Sequence, residues 1–263
     1  MGFSPDLAAL RHRAVPSHMV VGAEYPPTEL QDVYARGQYG LSDIRNPPVH
    51  ASVLVPLRME PNSGELVVIL TRRTRRLKRH SGEVALPGGK RDAADGLSDR
   101  ATALREAAEE IGLHSDDILE VLCELERSVA VGGIITGAVV ATVSPMFKPV
   151  ANPSEVDAVF EMPLRAFVEG GKAWEYRAED IKPHVADDCD PGKHSRPMRM
   201  HFFTQRGGTL AKSNEADNAN SYLVWGLTAG ILIHVAELVF GITPAFQKNS
   251  PMMHPTTTGG ASL

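Results

Sequence analysis

The stretch from Leu86 to Leu113 constrains the fold more than any other part of the chain. It consists of Leu-Pro-Gly-Gly-Lys, an Asp-containing loop, and then Arg-Glu-Ala-Ala-Glu-Glu-Ile-Gly-Leu. Adjacent glycines allow a positive φ or a close approach of the backbone to another group, and the acidic segment has helical spacing. The pattern therefore predicts a glycine turn that leads into an acidic helix.

The helix has a predicted beginning, a predicted end and two predicted faces. Ser98 is the expected N-cap and Gly112 the expected C′ residue. At about 100° per residue, three acids fall within about 100° of one another, roughly opposite an apolar stripe. The acids are Glu106, Glu109 and Glu110, and the stripe consists of Ala101, Leu104, Ala108 and Ile111. We expect the helix to pack through the stripe and to present the three acids together.

Clustered carboxylates suit a hard divalent cation. Glu106 and Glu110 are like charges four residues apart, which destabilises a helix by roughly a few tenths of a kcal/mol. Mg²⁺ prefers oxygen ligands and would remove this repulsion. The alternative is a solvated acidic face, which is what charge clusters usually form. The neighbouring glycine turn favours the metal site.

The segment from Arg105 to Leu113 resembles the second half of the Nudix box, G-x5-E-x7-R-E-U-x-E-E-x-G-U with U apolar, at every fixed position. The first half departs, because fifteen residues separate Gly89 from Arg105 where the box has thirteen. The first Glu position holds Leu97 when counted back from Arg105 and Asp95 when counted forward from Gly89. We expect the loop to be lengthened between Asp95 and Arg105.

A second motif lies directly upstream. Residues 69–89 resemble L-L-T-x-R-[SA]-x3-R-x3-G-x3-F-P-G-G, the signature of the coenzyme A diphosphatase branch of the Nudix family, with every spacing kept. Segments 152–164 and 224–229 also resemble that branch, so the likeness covers about residues 50–240. The resemblance implies a substrate-binding set of Thr71, Arg73, Lys78, Gly82 and Gly88.

Six of the eight residues from Arg72 to Arg79 are basic. Coenzyme A carries a diphosphate and a 3′-phosphate, which such a run would attract. The alternatives are a polybasic surface loop or a nucleic-acid patch. No aromatic residue interleaves the run, and the net charge is −5, so we expect a nucleotide-type small molecule and no nucleic acid.

The resemblance also implies a fold and a site. The fold is the Nudix α/β/α sandwich, with a mixed β-sheet between helices. The implied cofactor is Mg²⁺ or Mn²⁺, and the implied catalytic residues include Arg105, which would orient Glu109, and Glu106, the first candidate for the base, with Glu155 as the alternative base. The implied metal ligands are Glu106, Glu109, Glu110 and the Gly89 carbonyl, and Glu110 is also implied to be catalytic.

The implied reaction is hydrolysis of the diphosphate bond of coenzyme A or its acyl or oxidised derivatives. The products would be adenosine 3′,5′-bisphosphate and 4′-phosphopantetheine or its acyl form. Two alternatives stay open. One is a Nudix hydrolase of ADP-ribose or another nucleoside diphosphate derivative, and the other is a non-catalytic module that binds nucleotides or nucleic acid.

The predicted organisation is a single domain with extensions. Residues 1–48 form an N-terminal extension, 49–243 the domain, and 244–263 a disordered tail, with polar loop insertions at about 170–197 and 207–219. The apolar run 222–243 contains His234 and Glu237, so it predicts a buried helix and no membrane span. The two cysteines and the lack of a leader-like apolar segment predict an intracellular, not secreted, protein. It would be cytosolic, mitochondrial or, from the terminal Ala-Ser-Leu, in a peroxisome- or glycosome-like organelle.

Overall fold

The computed structural model describes residues 6–8, 49–78, 80–129, 134–172, 174–181, 198–212 and 221–249. Most of the predicted extension 1–48 and the segment 250–263 lie outside the described residues. Among those described there are eleven strands, β1 His50–Met59, β2 Leu66–Arg73, β3 Val84–Ala85, β4 Gly88–Lys90, β5 Ile118–Val129, β6 Ile135–Val143, β7 Val156–Pro163, β8 Glu175–Ile181, β9 Met198–Arg206, β10 Thr209–Lys212 and β11 Ser221–Trp225. The helices are α1 Asp99–Ile111, α2 Ala166–Glu169 and α3 Gly226–Phe240.

The central sheet is mixed and lies between helices. Its strand order is β10-β7-β2-β1-β6-β5, with β3 paired to β2 and β4 paired to β1. The β1–β6 pair is parallel and the other pairs are antiparallel. One apolar core packs α1 against the sheet and a second packs α3 against the opposite face. The predicted α/β/α sandwich is therefore confirmed.

The boundaries of α1 follow from its capping residues. The Ser98 hydroxyl accepts a hydrogen bond from the Ala101 N–H, and Gly112 ends the helix in the left-handed conformation with φ 69°. Both satisfy backbone groups that a helix end leaves without partners. The predicted N-cap and C′ residue are confirmed.

The predicted buried face of α1 is confirmed at Ile111 and in part at Leu104, which packs against the core, but it is wrong at Ala101 and Ala108. Ala101, Leu104 and Ala108 are only half-buried. The face that meets the sheet consists of Asp99, Thr102, Ala103, Ala107, Glu110 and Ile111. Small side chains allow the helix to lie close to the sheet, and the polar members of this face find partners there, so apolar periodicity alone pointed to the wrong side.

A second sheet, β11-β9-β8, occupies part of the chain that we expected to be loop. β8 has a charged sequence that does not resemble a buried strand, but its Tyr176 side chain packs on Phe203 and Phe246. Lys248 lies nearby, and its side chain donates to the Glu237 carboxylate at 2.7 Å. The predicted loop at 170–197 is thus wrong over β8, and the predicted loop at 207–219 is wrong over β10. The predicted disordered tail is wrong over 244–249, because Phe246 and Lys248 pack on the domain.

The helix predicted over 222–243 is confirmed for Gly226–Phe240, but the prediction is wrong over 222–225, which belong to β11 and pair with β9. The buried residues of α3 include Ile231, Leu232 and Val235, and they pack against the sheet. The described helices fall short of the length and hydropathy that a membrane crossing requires.

Candidate active site

The predicted glycine turn is a short strand directly beneath α1. β4 pairs with β1, and Gly89 lies opposite Ser52. A Cβ atom on Gly89 would lie 2.5 Å from the carboxylate carbon of Glu106, and one on Gly88 would lie 2.4 Å from the Ser52 carbonyl oxygen. These distances are shorter than van der Waals contact, so a side chain at position 88 would clash with the backbone of β1 and one at position 89 would displace the Glu106 carboxylate.

Glu110 points from α1 into this junction and is only 2% exposed. Its carboxylate accepts a hydrogen bond from the Gly88 N–H at 3.2 Å, and Nη1 of Arg73 lies 3.6 Å away. Burial raises the pKa of Glu110 to about 8, against the opposing effects of the Gly88 hydrogen bond and the Arg73 charge. A buried carboxylate of this kind favours a cation beside it.

Glu155 reaches the same place from the turn before β7. The Thr74 N–H donates to the Glu155 carbonyl at 2.8 Å, and the Asn152 N–H donates to the Glu110 carbonyl at 2.9 Å. These bonds tie the turn to the end of β2 and to α1. As a result, carboxylate oxygens of Glu106, Glu110 and Glu155 lie within 4.8 Å of one another.

This set of donors fits a hard divalent cation. All three ligand atoms are carboxylate oxygens, which Mg²⁺ and Mn²⁺ accept. Burial raises the pKa of Glu106, and the Arg105 guanidinium opposes that rise. Three acids this close repel one another, and a bound cation would offset the repulsion.

Glu109 does not belong to this group of carboxylates. Its side chain is 51% exposed and accepts a hydrogen bond from Nη1 of Arg105 at 3.0 Å. The structure thus brings two of the three predicted acidic ligands together and adds Glu155, which the sequence offered only as an alternative base. The Asn-Pro-Ser-Glu segment at 152–155 was the available signal for it.

Arg105 is the centre of a network at the edge of the site. Its Nε and Nη2 donate to the two carboxylate oxygens of Asp95, each at 3.0 Å, and Nη2 also donates to the Lys90 carbonyl. The same nitrogen lies 3.0 Å from Glu106. These contacts lower the pKa of Asp95 to about 2, chiefly through the hydrogen bond from Arg105.

The contact with Arg105 favours Asp95 over Leu97 for the first acidic position of the box. The acid counted forward from Gly89 meets Arg105, whereas Leu97, counted back from Arg105, is exposed. A short 3₁₀ turn spans Ala93–Asp95, and two residues separate it from the N-cap of α1 at Ser98. The expected lengthening after Asp95 agrees with this arrangement.

The predicted substrate-binding residues divide into three groups. Arg73 and Gly88 lie at the carboxylates. Thr71 is buried, and its hydroxyl donates to the Ala85 carbonyl, which ties β2 to β3. Lys78 is exposed, and Gly82 forms the turn of the same loop with φ 72°.

Comparison with known proteins gives consistent matches. The NUDIX domain model matches residues 48–182. Nudix hydrolase 15, mitochondrial, of Arabidopsis thaliana is 36% identical over 78% of this chain and 63% of its own length. The peroxisomal coenzyme A diphosphatase NUDT7 of Mus musculus is 34% identical over 74% of this chain and 72% of its own. The uncharacterized Nudix hydrolase NudL of Shigella flexneri is 33% identical over 84% of this chain and its whole length.

The extent of these matches differs among the relatives. The chain spans 63% of the length of the two Arabidopsis relatives that it matches, so parts of those proteins have no counterpart here. The mouse relative is itself named a coenzyme A diphosphatase, which agrees with the branch that the sequence resembles. The matched residues include the glycine strand, α1 and the turn that carries Glu155. On these grounds the chain belongs to the Nudix hydrolase family.

Proposed function

We propose that the chain hydrolyses the diphosphate bond of coenzyme A or its acyl or oxidised derivatives, with a divalent cation. The products would be adenosine 3′,5′-bisphosphate and 4′-phosphopantetheine or its acyl form. The observation that carries this proposal is the carboxylate group of Glu106, Glu110 and Glu155 beside a glycine strand. The similarity to a mouse coenzyme A diphosphatase supports the choice of substrate.

In this proposal Glu106, Glu110 and Glu155 hold the cation, and Glu109 and the Gly89 carbonyl stay candidate ligands. When bound, the cation would neutralise the diphosphate and lower the pKa of an attacking water. The water oxygen forms a bond to one phosphorus, the bridging oxygen leaves with the other phosphate, and a carboxylate takes the proton of the water. Glu106 is the first candidate for that base, and Glu155 is the alternative.

Arg105 would act by orientation. Asp95 holds two of its nitrogens, so the guanidinium is fixed beside Glu106 and Glu109. A bidentate arginine–carboxylate pair constrains direction as well as distance. Glu106 would therefore approach the cation from one defined side.

The basic loop after β2 would attract the phosphates of the substrate. It follows Arg73, the last residue of β2, which lies beside Glu110. Its exposed basic residues include Arg75, Arg76 and Lys78. Exposed cations next to a site raise the local concentration of anionic ligands. Lys78 would contribute a point charge, since lysine lacks the planar fork of arginine.

Product analysis tests the proposal. The purified chain is incubated with Mg²⁺ or Mn²⁺ and with coenzyme A, an acyl-coenzyme A, ADP-ribose or NADH, and products are identified by chromatography and mass. Adenosine 3′,5′-bisphosphate from the coenzyme A compounds alone is the expected result. Cleavage of ADP-ribose or NADH instead would mean that coenzyme A is not the substrate. Ligand binding without any cleavage would favour a non-catalytic module.

The cellular location is a separate proposal. The relatives include proteins named mitochondrial and peroxisomal, and both locations are among those that the sequence predicts. The terminal Ala-Ser-Leu lies outside the described residues. Fluorescence microscopy of the chain with and without its last three residues would test organelle targeting by that tripeptide.

A further inference from the structure

Asp99, the first residue of α1, is a buried junction that the proposed chemistry does not use. It is 3% exposed. Its Oδ1 accepts hydrogen bonds from the Ser52 hydroxyl at 2.8 Å and from Nη2 of Arg91 at 2.5 Å, and its Oδ2 accepts one from Nε of Arg127 at 2.6 Å. One carboxylate therefore joins β1, the residue that follows β4, β5 and α1.

Asp99 lies on the same face of α1 as two proposed metal ligands. Asp99, Glu106 and Glu110 are seven and four residues apart, so at about 100° per residue they fall within about 40° of one another. Seven residues of helix rise about 10 Å, so Asp99 is too far along the axis to join the cation beside Glu106.

Each of these three acids meets a glycine of the sheet. Glu106 faces Gly89, and Glu110 accepts from the Gly88 N–H. A Cβ atom on Gly137 of β6 would lie 2.5 Å from the carboxylate carbon of Asp99. The same close contact between helix and sheet thus continues from the carboxylate group to the beginning of α1.

Charge compensation at Asp99 is built into the protein. Arg91 and Arg127 are both about nine-tenths buried, and together they satisfy a carboxylate that would be costly to bury alone. An acid in the first turn of a helix also interacts favourably with the helix dipole. Asp99 therefore has two buried cations, whereas Glu106 and Glu110 each lie near one more exposed arginine and beside the proposed metal.

Besides its pairing with β1, β4 is held by polar contacts. Two of its three residues are glycines, which have no side chains to pack against neighbours. At its far end, the Arg91 N–H donates to the His50 carbonyl at 3.0 Å, and the Arg91 side chain binds Asp99. The Arg91–Asp99 bond is the tie that joins this end of the strand directly to the beginning of α1.

We propose that Asp99 is a positioning residue that sets the approach of Glu106 to Gly89, and thereby the affinity of the site for its cation. The inference rests on the proposed function to the extent that the carboxylate group binds a metal. Asp99→Asn keeps the size of the side chain but removes the charge that orders Arg91 and Arg127. Groups that bond directly to metal ligands typically change metal affinity by about 10- to 100-fold, and Asp99 acts one contact further away, so we expect Mn²⁺ binding to weaken by about tenfold, at the low end of that range.

Glu161→Gln is the matched control. Glu161 accepts two hydrogen bonds from Arg58, at 3.0 and 2.5 Å, in another ion pair that is largely buried. Arg58 lies at the opposite end of β1 from Ser52. Both variants should lower the unfolding temperature, but Glu161→Gln should keep Mn²⁺ affinity within about twofold, since its contacts do not reach β4 or α1.

A Mn²⁺ titration that is monitored by electron paramagnetic resonance measures the Mn²⁺ affinity of each variant without substrate. If Asp99→Asn does not fold, Ser52→Ala removes a single hydrogen bond to Asp99 and should weaken binding by about threefold. A folded variant with wild-type affinity would overturn the proposal, and so would equal weakening in Glu161→Gln.

Hydrogen exchange separates this inference from the proposed function. The amides of residues 88–91 should exchange faster in Asp99→Asn than in the wild type, and Glu161→Gln should leave them unchanged. If the wild type bound no Mn²⁺, the proposed function would fail, and the exchange rates would still decide whether Asp99 positions β4. Unchanged exchange in Asp99→Asn would then refute the inference.

Discussion

Gly89 and Glu106 are so close that a single added carbon on the glycine would lie 2.5 Å from the glutamate carboxylate. Any side chain at position 89 would therefore displace the Glu106 carboxylate from its present position. The carboxylate that meets Gly89 belongs to the group that we propose to bind the cation. The absence of a side chain at position 89 thus determines where the Glu106 carboxylate can lie.

Gly89→Ala should impair activity more than stability. The methyl group would displace Glu106, and a misplacement of about 1 Å can reduce a rate by about 100-fold. Overpacking of this kind typically lowers the free energy of unfolding by about 1–3 kcal/mol. Steady-state hydrolysis and urea denaturation measure the two effects, and an active Gly89→Ala would show that the close contact is dispensable.

Gly230→Ala provides the opposite case. Gly230 lies within α3, and a Cβ atom there would meet no atom within 4 Å among the described residues. Alanine in a helix interior is favoured over glycine by about 0.5–1 kcal/mol, so the free energy of unfolding should rise by that amount. Urea denaturation measures it, and hydrolysis should be unchanged. A destabilised Gly230→Ala would mean that α3 needs this glycine for another reason.

Glu110→Gln should abolish most of the turnover in a folded protein. The amide cannot supply a negative charge to the cation, so we expect a loss of about 100-fold or more. The neutral side chain fits a buried position where the pKa of the acid is already about 8. The unfolding temperature should therefore stay close to that of the wild type, and Glu126→Gln, an exposed change on β5, serves as the control. Near-normal turnover in Glu110→Gln would remove Glu110 from the metal site.

Asp95→Asn should lose stability in a pH-dependent way. The Arg105 hydrogen bond lowers the pKa of Asp95 from 3.8 to about 2, so the folded protein favours the ionised form. This stabilisation is present above pH 3.8 and is lost as the pH falls through about 2. At pH 7 the unfolding temperature of the variant should be about 2–4 °C lower.

The comparison across pH is the informative measurement for Asp95. The difference in unfolding temperature between wild type and variant should shrink as the pH falls below 4. A difference that stays constant down to pH 2 would mean that the charge of Asp95 does not hold Arg105. Arg105→Lys keeps a charge but loses the planar fork, so its unfolding temperature at pH 7 should also be lower than that of the wild type.

The sequence was sufficient for features that depend on neighbouring residues. Ser98 and Gly112 mark the ends of α1 because capping bonds form within a few residues of the chain. The acidic helix could be predicted for the same reason, whereas the predicted glycine turn is a short strand, because Gly88–Lys90 pairs with the distant β1. The count from Gly89 also offered Asp95, although only the fold shows that it meets Arg105.

Tertiary structure decided which side chains meet. Apolar periodicity placed α1 on the wrong face, because Ala103 and Ala107 give the closest packing and Glu110 finds a partner in the Gly88 N–H. β8 could not be recognised, because it gains its apolar contacts from β9 and from Phe246.

The composition of the carboxylate group depends on the same long-range contacts. Glu155 is 45 residues from Glu110 in the chain, and backbone bonds from Thr74 and Asn152 bring it into place. Glu109 is adjacent to Glu110 but faces Arg105 on the outside. Local sequence thus determined the ends of the helix and the residue types at the site, whereas the packing of α1 on glycines of a distant part of the sheet determined which carboxylates meet.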